Sequence, residues 1–185
     1  MGAIGGTLGD QIHVQLGVLS YPHPSRWLFG QALWVPPLFA ASALALVHGQ
    51  GLFAGTPPPG EPLPSRPGVI VPAALFVAAY FSTALFGDHP VALTIALVAA
   101  WIVRIAPHPT RDRLLAGLGA AVSGPIVEWT LSRGLGAFHY RQPGALGVPL
   151  WLPALYLHAS LLTRHIWFAF IRSRPAPAVA TEAVD

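Results

Sequence analysis

Residues 69–86, VIVPAALFVAAYFSTALF, contain no charged side chain. At about 1.5 Å per residue, a helix of that length is about 27 Å long, close to the ~30 Å hydrocarbon core of a bilayer. In lipid every backbone N–H and C=O has to be bonded inside the protein, which leaves the helix bundle and the closed barrel as spanning architectures. A barrel needs strands that alternate apolar and polar residues, whereas this stretch and its counterparts are apolar in continuous runs. The predicted fold is therefore all-α, a polytopic transmembrane helical bundle. Composition agrees: 54% of the 185 residues are hydrophobic and 9% charged, with a mean hydropathy of +0.57.

Five spans are expected, over residues 30–48, 69–86, 90–106, 111–133 and 149–171. Residues 1–29 read as an N-terminal loop, and residues 1–10 lack the basic start and apolar core of a cleavable leader. The bundle is expected over 30–172 and a disordered, cytoplasmic tail over 173–185. The segment GQGLFAGTPPPGEPLPSRPG, between the first two spans, reads as extended linker. Asp88 is expected to cap the third span and Pro90 to occupy its first turn.

All ten basic residues are arginine and there is no cysteine. The absence of lysine excludes a retinal Schiff base; the absence of cysteine excludes disulfides and thiolate-bound metals. Arginine in place of lysine, with abundant Ala, Gly and Pro, suggests a GC-rich bacterial genome. Five spans put Arg66, Arg104, Arg111, Arg113, Arg164, Arg172 and Arg174 on one side and Arg26, Arg133 and Arg141 on the other. The richer side is expected to be cytoplasmic, with the C-terminus there. The membrane is the plasma membrane for a bacterial chain and the endoplasmic reticulum for a eukaryotic one. The pI near 10 then reflects topology and headgroup contact, with no nucleic-acid partner expected. The eight histidines form no HxxxH or HExxH pair, so no metal site is expected. His13 with Asp10 reads as loop or interface hydrogen bonding, and Arg164 and His165 as side chains reaching the inner headgroups.

Glu128 is the acid deepest in a span. Gly117, Ala121, Gly124 and Glu128 fall on one helical face, and three of them are small enough for a neighbouring backbone to come close. Glu128 is expected to point into the bundle and to bond Tyr140, His139 or water. In the last span Tyr156, Ser160 and Thr163 form a polar stripe, with His158 off it, while Trp151 and Trp167 fit aromatic anchors at the two interfaces. In GQALWVPPLFAASALALVHG, residues 30–49, the pair Pro36–Pro37 is expected to kink the helix. A helix starting at Pro36 would keep only about 12 residues, near 18 Å, before His48.

LWVPPLF resembles the second membrane helix of the Insig proteins, sterol-responsive proteins of the animal endoplasmic reticulum. The family's Trp-Val-Pro-Pro motif is matched by Trp34, Val35, Pro36 and Pro37. DRLLAGLG, residues 112–119, resembles the family's cytosolic Asp-Arg motif leading into its fifth helix. GAFHYRQPGALGVPLWLP keeps Gly136, Tyr140, Pro143 and the Trp151-Leu152-Pro153 that opens the last helix. The likeness covers roughly residues 15–170. Family members have six helices, so residues 1–29 read as the remnant of a first helix, leaving five here.

The resemblance implies a proline-kinked bundle around a central, membrane-accessible cavity that holds a sterol-like or diacylglycerol-like lipid. It implies regulation by occupancy, no catalysis and no cofactor. Pro36–Pro37 and Pro125 would hold two helices apart. Gln31, Trp34, Pro37, Tyr80, Gly124, Glu128, Trp129, Tyr140, Trp151, Tyr156 and Ser160 are the expected lipid-binding residues. Asp112 and Arg113 would face a membrane-protein partner, although an N-cap role for Asp112 also accounts for it. A homo-oligomer stays open. The alternative function is an intramembrane lyase, hydratase or cyclase acting on a carotenoid-like polyene with Glu128 as the acid. One carboxylate alone is poorly equipped to handle a carbocation.

Overall fold

The computed structural model describes residues 2–53, 65–144 and 146–172. The tail over 173–185 and most of the Pro/Gly linker lie outside them. Within them the order is α1 (Gly2–Gln15), β1 (Leu19–Ser20), α2 (Val35–Phe53), α3 (Ile70–Phe86), α4 (Pro90–Ile105), α5 (Arg111–Trp129), β2 (His139–Tyr140) and α6 (Leu152–Ile166). Wider π turns follow α5 and α6, over Thr130–Gly134 and Trp167–Arg172. The chain is an all-α bundle, and 35–53, 67–86 and 111–134 are long and apolar enough to cross a membrane. Ile70, Val91, Ile95, Val103, Leu118 and Val122 all turn more than half of their surface outward, as a lipid-facing wall requires.

Six α-helices are described where five were expected. The sixth is α1, whose sequence hides it: Gly2, Gly5, Gly6 and Gly9 each cost about 1 kcal/mol of helix propensity. Packing reverses that penalty. Gly6 lies against the ring of Phe39 in α2, and Gly9 against the ring of Tyr80 in α3, so missing side chains let α1 approach both. Asp10 and His13, expected in a loop or interface, are buried on α1 at 4% and 2% exposure.

α2 begins at Val35, so Pro36 and Pro37 occupy its first turn instead of kinking it. First-turn N–H groups have no partner within a helix, and proline's fixed φ suits that position. The helix does not become short, because it continues beyond His48 to Phe53, for 19 residues. Its polar end is paired: His48 Nδ1 donates to the Leu44 carbonyl at 2.9 Å, and Gln50 Nε2 to Thr163 Oγ1 at 2.9 Å. Gly51 leaves room for the Trp167 ring.

α6 is the centre of the bundle, touching α2, α3, α4 and α5. Burial extends even to Arg164, whose guanidinium lies 4.7 Å over the Phe168 ring. Trp151, expected as an interface anchor, is 2% exposed because α1, β2 and the α3–α4 turn close over it. The strands pair antiparallel, Leu19 with Tyr140 and Ser20 with His139. This two-residue ladder ties the loops before α2 and α6 and sets Tyr21 and Tyr140 over one end of the helices.

Asp88 does not cap α4. It accepts from Arg141 Nη2 and Gln142 Nε2, both at 2.8 Å, pinning the α3–α4 turn to the segment after β2. Asp112 does not cap α5 either: Thr110 Oγ1 accepts from the Arg113 N–H at 3.3 Å, and Asp112 lies in the first turn.

Candidate functional site

Two features of the bundle carry chemistry: a packed polar cluster under the β-ladder, and a lateral cleft on the opposite flank of α6.

The cluster is built around two carboxyls. Asp10 accepts from the Tyr21 hydroxyl at 2.9 Å and from Gln31 Nε2 at 2.7 Å, and the same amide nitrogen donates to the Thr7 carbonyl at 2.8 Å. Glu128 accepts from Tyr140 at 3.2 Å and from Tyr156 at 3.1 Å, one phenol on each oxygen. Burial and the neighbouring carboxylates push the phenols of Tyr21 and Tyr140, both outside the helices, above the usual range. They stay protonated and donate. The Tyr80 ring stacks on His13 with centroids 4.5 Å apart. Thr83 spends its proton on the Tyr80 carbonyl at 2.6 Å, so His13 Nε2 must donate to Thr83 Oγ1 at 2.9 Å.

Of the expected lipid-binding residues, Gln31, Trp34, Tyr80, Gly124, Glu128, Tyr140, Trp151 and Tyr156 meet in or around this cluster. Trp34 packs edge-on against Tyr21 with centroids 5.5 Å apart. Pro37 and Trp129 turn outward. Ser160 lies farther along α6, where its hydroxyl donates to the Leu157 carbonyl and its carbonyl accepts from Gln50. Glu128 bonds Tyr140, as one expectation had it, and not His139. Arg113 Nη1 donates to the His108 carbonyl at 2.8 Å, which places it with Asp112 at the start of α5. Asp10, His13, Tyr21 and Thr83 are members that the sequence did not single out as a site. Asp10 and His13, three residues apart in a glycine-rich segment, were the available signal.

The cluster is filled, not hollow. The Tyr156 ring occupies the space a side chain at Gly124 would need, and Phe39 and Tyr80 do the same at Gly6 and Gly9. At Gly6, Gly9 and Gly124 aromatic rings of neighbouring elements are thus seated directly on the helix backbone.

A cleft of about 570 Å³ lies between α3 and α4, backed by α6. α3 contributes Leu75, Ala78, Ala79, Ser82 and Phe86; α4 contributes Ala92, Leu93, Ala96, Leu97 and Ala100. Alanine makes the groove. Ala92, Ala96 and Ala100 recur every four residues on α4, and Ala78 and Ala79 face them from α3. His89 lies at one end and Arg104 with His158 at the other. His158 is about 200° round α6 from Tyr156, so one helix serves cluster and cleft on opposite sides. Its Nε2 is 2.9 Å from the Leu97 carbonyl and its Nδ1 is 2.7 Å from Arg104 Nη1. A carbonyl can only accept, so Nε2 carries the proton, and the bare Nδ1 accepts from the guanidinium. None of the expected lipid-binding residues lines this cleft.

No protein-family model matches the chain. A curated protein named INSIG protein homolog, from Mycolicibacterium vanbaalenii, is 29% identical over 182 residues, covering 95% of this chain and 85% of its own. The crystal structure of the mycobacterial Insig homologue MvINS superposes with a TM-score of 0.78 at 27% identity, over 95% of this chain and 93% of that one. A cross-linked trimer of a cysteine variant of MvINS matches equally, with the same TM-score, identity and coverage.

Proposed function

We propose that the chain, which is similar to Insig homologues, is an integral membrane protein that binds a membrane lipid, sterol-like or diacylglycerol-like, in the cleft between α3 and α4. Occupancy would regulate the protein's behaviour and no covalent chemistry would follow. The observation that carries this reading is the cleft itself: about 570 Å³, walled by alanine, leucine and phenylalanine, with polar groups only at its ends. Such a wall with few polar groups is the usual make-up of a small-ligand site. The flanking helix faces are apolar, so a lipid can enter sideways without leaving the hydrocarbon.

In this reading the tyrosine cluster is the support. Tyr80 and Thr83 tie α3 to His13 of α1, and Glu128 ties α5 to Tyr156 of α6. Those bonds fix where α3 stands, and so how wide the cleft is. Gln31, Trp34, Glu128, Tyr140, Trp151 and Tyr156 would then act on the lipid through packing. We further propose a homo-oligomer, since the MvINS variant is a cross-linked trimer. Asp112 and Arg113 would face a membrane-protein partner, and the C-terminus would be cytoplasmic.

Mass spectrometry of solvent extracts from gently purified protein tests the proposal. Wild type is expected to carry a stoichiometric lipid, and Ala96→Trp, which fills the cleft, to lose most of it while remaining folded. Lipid-free wild type, or Ala96→Trp with undiminished lipid, defeats it. Glu128→Leu or Trp34→Ala should weaken lipid retention more than expression; equal losses would assign those residues to folding alone.

The polyene-enzyme alternative gains one observation, because Asp10 supplies a second buried carboxyl in the same polar cluster. Incubating membranes with polyene lipids separates the readings. Turnover abolished by Glu128→Gln would favour the enzyme.

A further inference from the structure

We infer that the lipid held between α3 and α4 is an anionic glycerophospholipid whose phosphate is bound by Arg104, with His158 positioning the guanidinium. This rests on the cleft being a lipid site and names the headgroup class it selects.

Among the described residues, Arg104 is the only charged side chain lining the cleft. It is half-buried in the last turn of a helix otherwise made of apolar residues and one threonine. A cation there is ordinarily paired with a carboxylate. Arg104 donates instead to the Nδ1 of His158, a neutral ring whose own N–H is spent on the Leu97 carbonyl. That bond orients the guanidinium without cancelling its charge. Guanidinium carries five N–H donors in a planar fork, so several are left for an anion, and the fork fits phosphate oxygens in pairs.

The apolar part has matching dimensions. From Ala92 to Arg104 the groove follows α4 for about 18 Å, somewhat more than half of the ~30 Å hydrocarbon core. An acyl chain lying on Ala96 and Ala100 would place its glycerol and phosphate at Arg104, near the end of α4 and so near the interface. A sterol would fill the apolar groove and leave the guanidinium with nothing but the imidazole. A diacylglycerol would do the same, and adding a phosphate to it supplies the missing partner. The opposite end has Ser82 and His89 in its lining, and the charges of the adjoining α3–α4 turn, Asp88 and Arg141, are paired with each other.

The test compares lipids of identical acyl chains on delipidated wild-type protein in neutral detergent, with occupancy read by native mass spectrometry. Phosphatidylglycerol is expected to exceed diacylglycerol about tenfold, as a charge-assisted hydrogen bond in a partly dry site warrants. Arg104→Gln should bring the ratio close to one while leaving diacylglycerol binding intact, and Arg104→Lys should keep part of the preference. Ala96→Trp should lower both lipids together. Equal binding of the two lipids by wild type overturns the headgroup inference and leaves the cleft reading standing, whether or not Arg104→Gln folds. A phosphatidylglycerol preference that survives both Arg104→Gln and Ala96→Trp assigns it to the general basic surface and overturns both.

Discussion

The ring of Tyr156 in α6 occupies the place where a side chain on Gly124 in α5 would stand. Neither partner can yield easily, because Tyr156 is also held by its hydroxyl, which donates to Glu128 one turn further along α5. Glycine at 124, ring at 156 and carboxyl at 128 thus form one interlocked contact between two helices. Gly124→Ala is expected to cost about 1–3 kcal/mol, the usual range for overpacking, with a larger loss for Gly124→Val. Thermal unfolding in detergent measures this. Wild-type stability for Gly124→Ala would show that the ring is not seated there.

Glu128 accepts from two phenols that come from different parts of the chain, one in β2 and one in α6. A double-mutant cycle isolates the pair. Tyr156→Phe should cost about 1 kcal/mol in the wild-type background, within the range for hydrogen bonds between membrane helices. In the Glu128→Leu background it should cost almost nothing, because the hydroxyl has lost its acceptor. A cost of equal size in both backgrounds would mean that the ring, and not the bond, matters.

The sequence contained the apolar runs of α2, α3 and α5 and the facing of α5, and it concealed α1 and the cleft, for different physical reasons. Spans are announced by continuous apolar runs, which lipid requires whatever the packing. The Gly117, Ala121, Gly124 and Glu128 face was legible because small residues at helical spacing have few uses besides close approach; Gly117 does meet Trp101 and Leu157, and Gly124 meets Tyr156. α1 was concealed because its glycines argue against a helix locally and for one only when Phe39 and Tyr80 are present to fill the gaps. The cleft was concealed because alanine on α3 and α4 reads equally as a helix former and as a groove wall. Only the tertiary fact that Ala92, Ala96 and Ala100 line an open cleft distinguishes the two. Arg104, counted as a topology signal, gained its second meaning from His158, fifty-four residues away in sequence.

At the other end of α2, Gln50 and Thr163 make an asymmetric pair. Thr163 Oγ1 is within bonding distance of the Ala159 carbonyl at 3.0 Å and the Ser160 carbonyl at 3.1 Å, whereas the Gln50 amide relies on Thr163 at 2.9 Å and more weakly on Ser160 at 3.3 Å. Gln50→Leu removes the amide altogether and leaves Thr163 its own bonds, so the expected loss is about 1 kcal/mol or less. Thr163→Val keeps the buried amide and removes its better acceptor, for which about 1–3 kcal/mol is expected. Unfolding measurements should rank Thr163→Val below Gln50→Leu; the reverse order would contradict the assigned bonds.

The prolines give the sharpest contrast between position and composition. Pro36 and Pro37 lie in the first turn of α2, where no backbone bond is lost, while Pro125 lies inside α5 and removes the bond that the Ala121 carbonyl would accept. Pro36→Ala and Pro37→Ala are expected to change stability by less than about 1 kcal/mol, mainly through the freedom of the unfolded chain, and to leave lipid occupancy unchanged. Pro125→Ala restores an internal bond beside Gly124, where the Tyr156 ring is seated, so any straightening of α5 is transmitted to α6. Its effect should be the largest of the three, and it should appear in the unfolding transition before it appears in lipid retention. If Pro36→Ala instead empties the protein of lipid while Pro125→Ala does not, then the first pair shapes the binding space, and the cleft between α3 and α4 is not where the lipid sits.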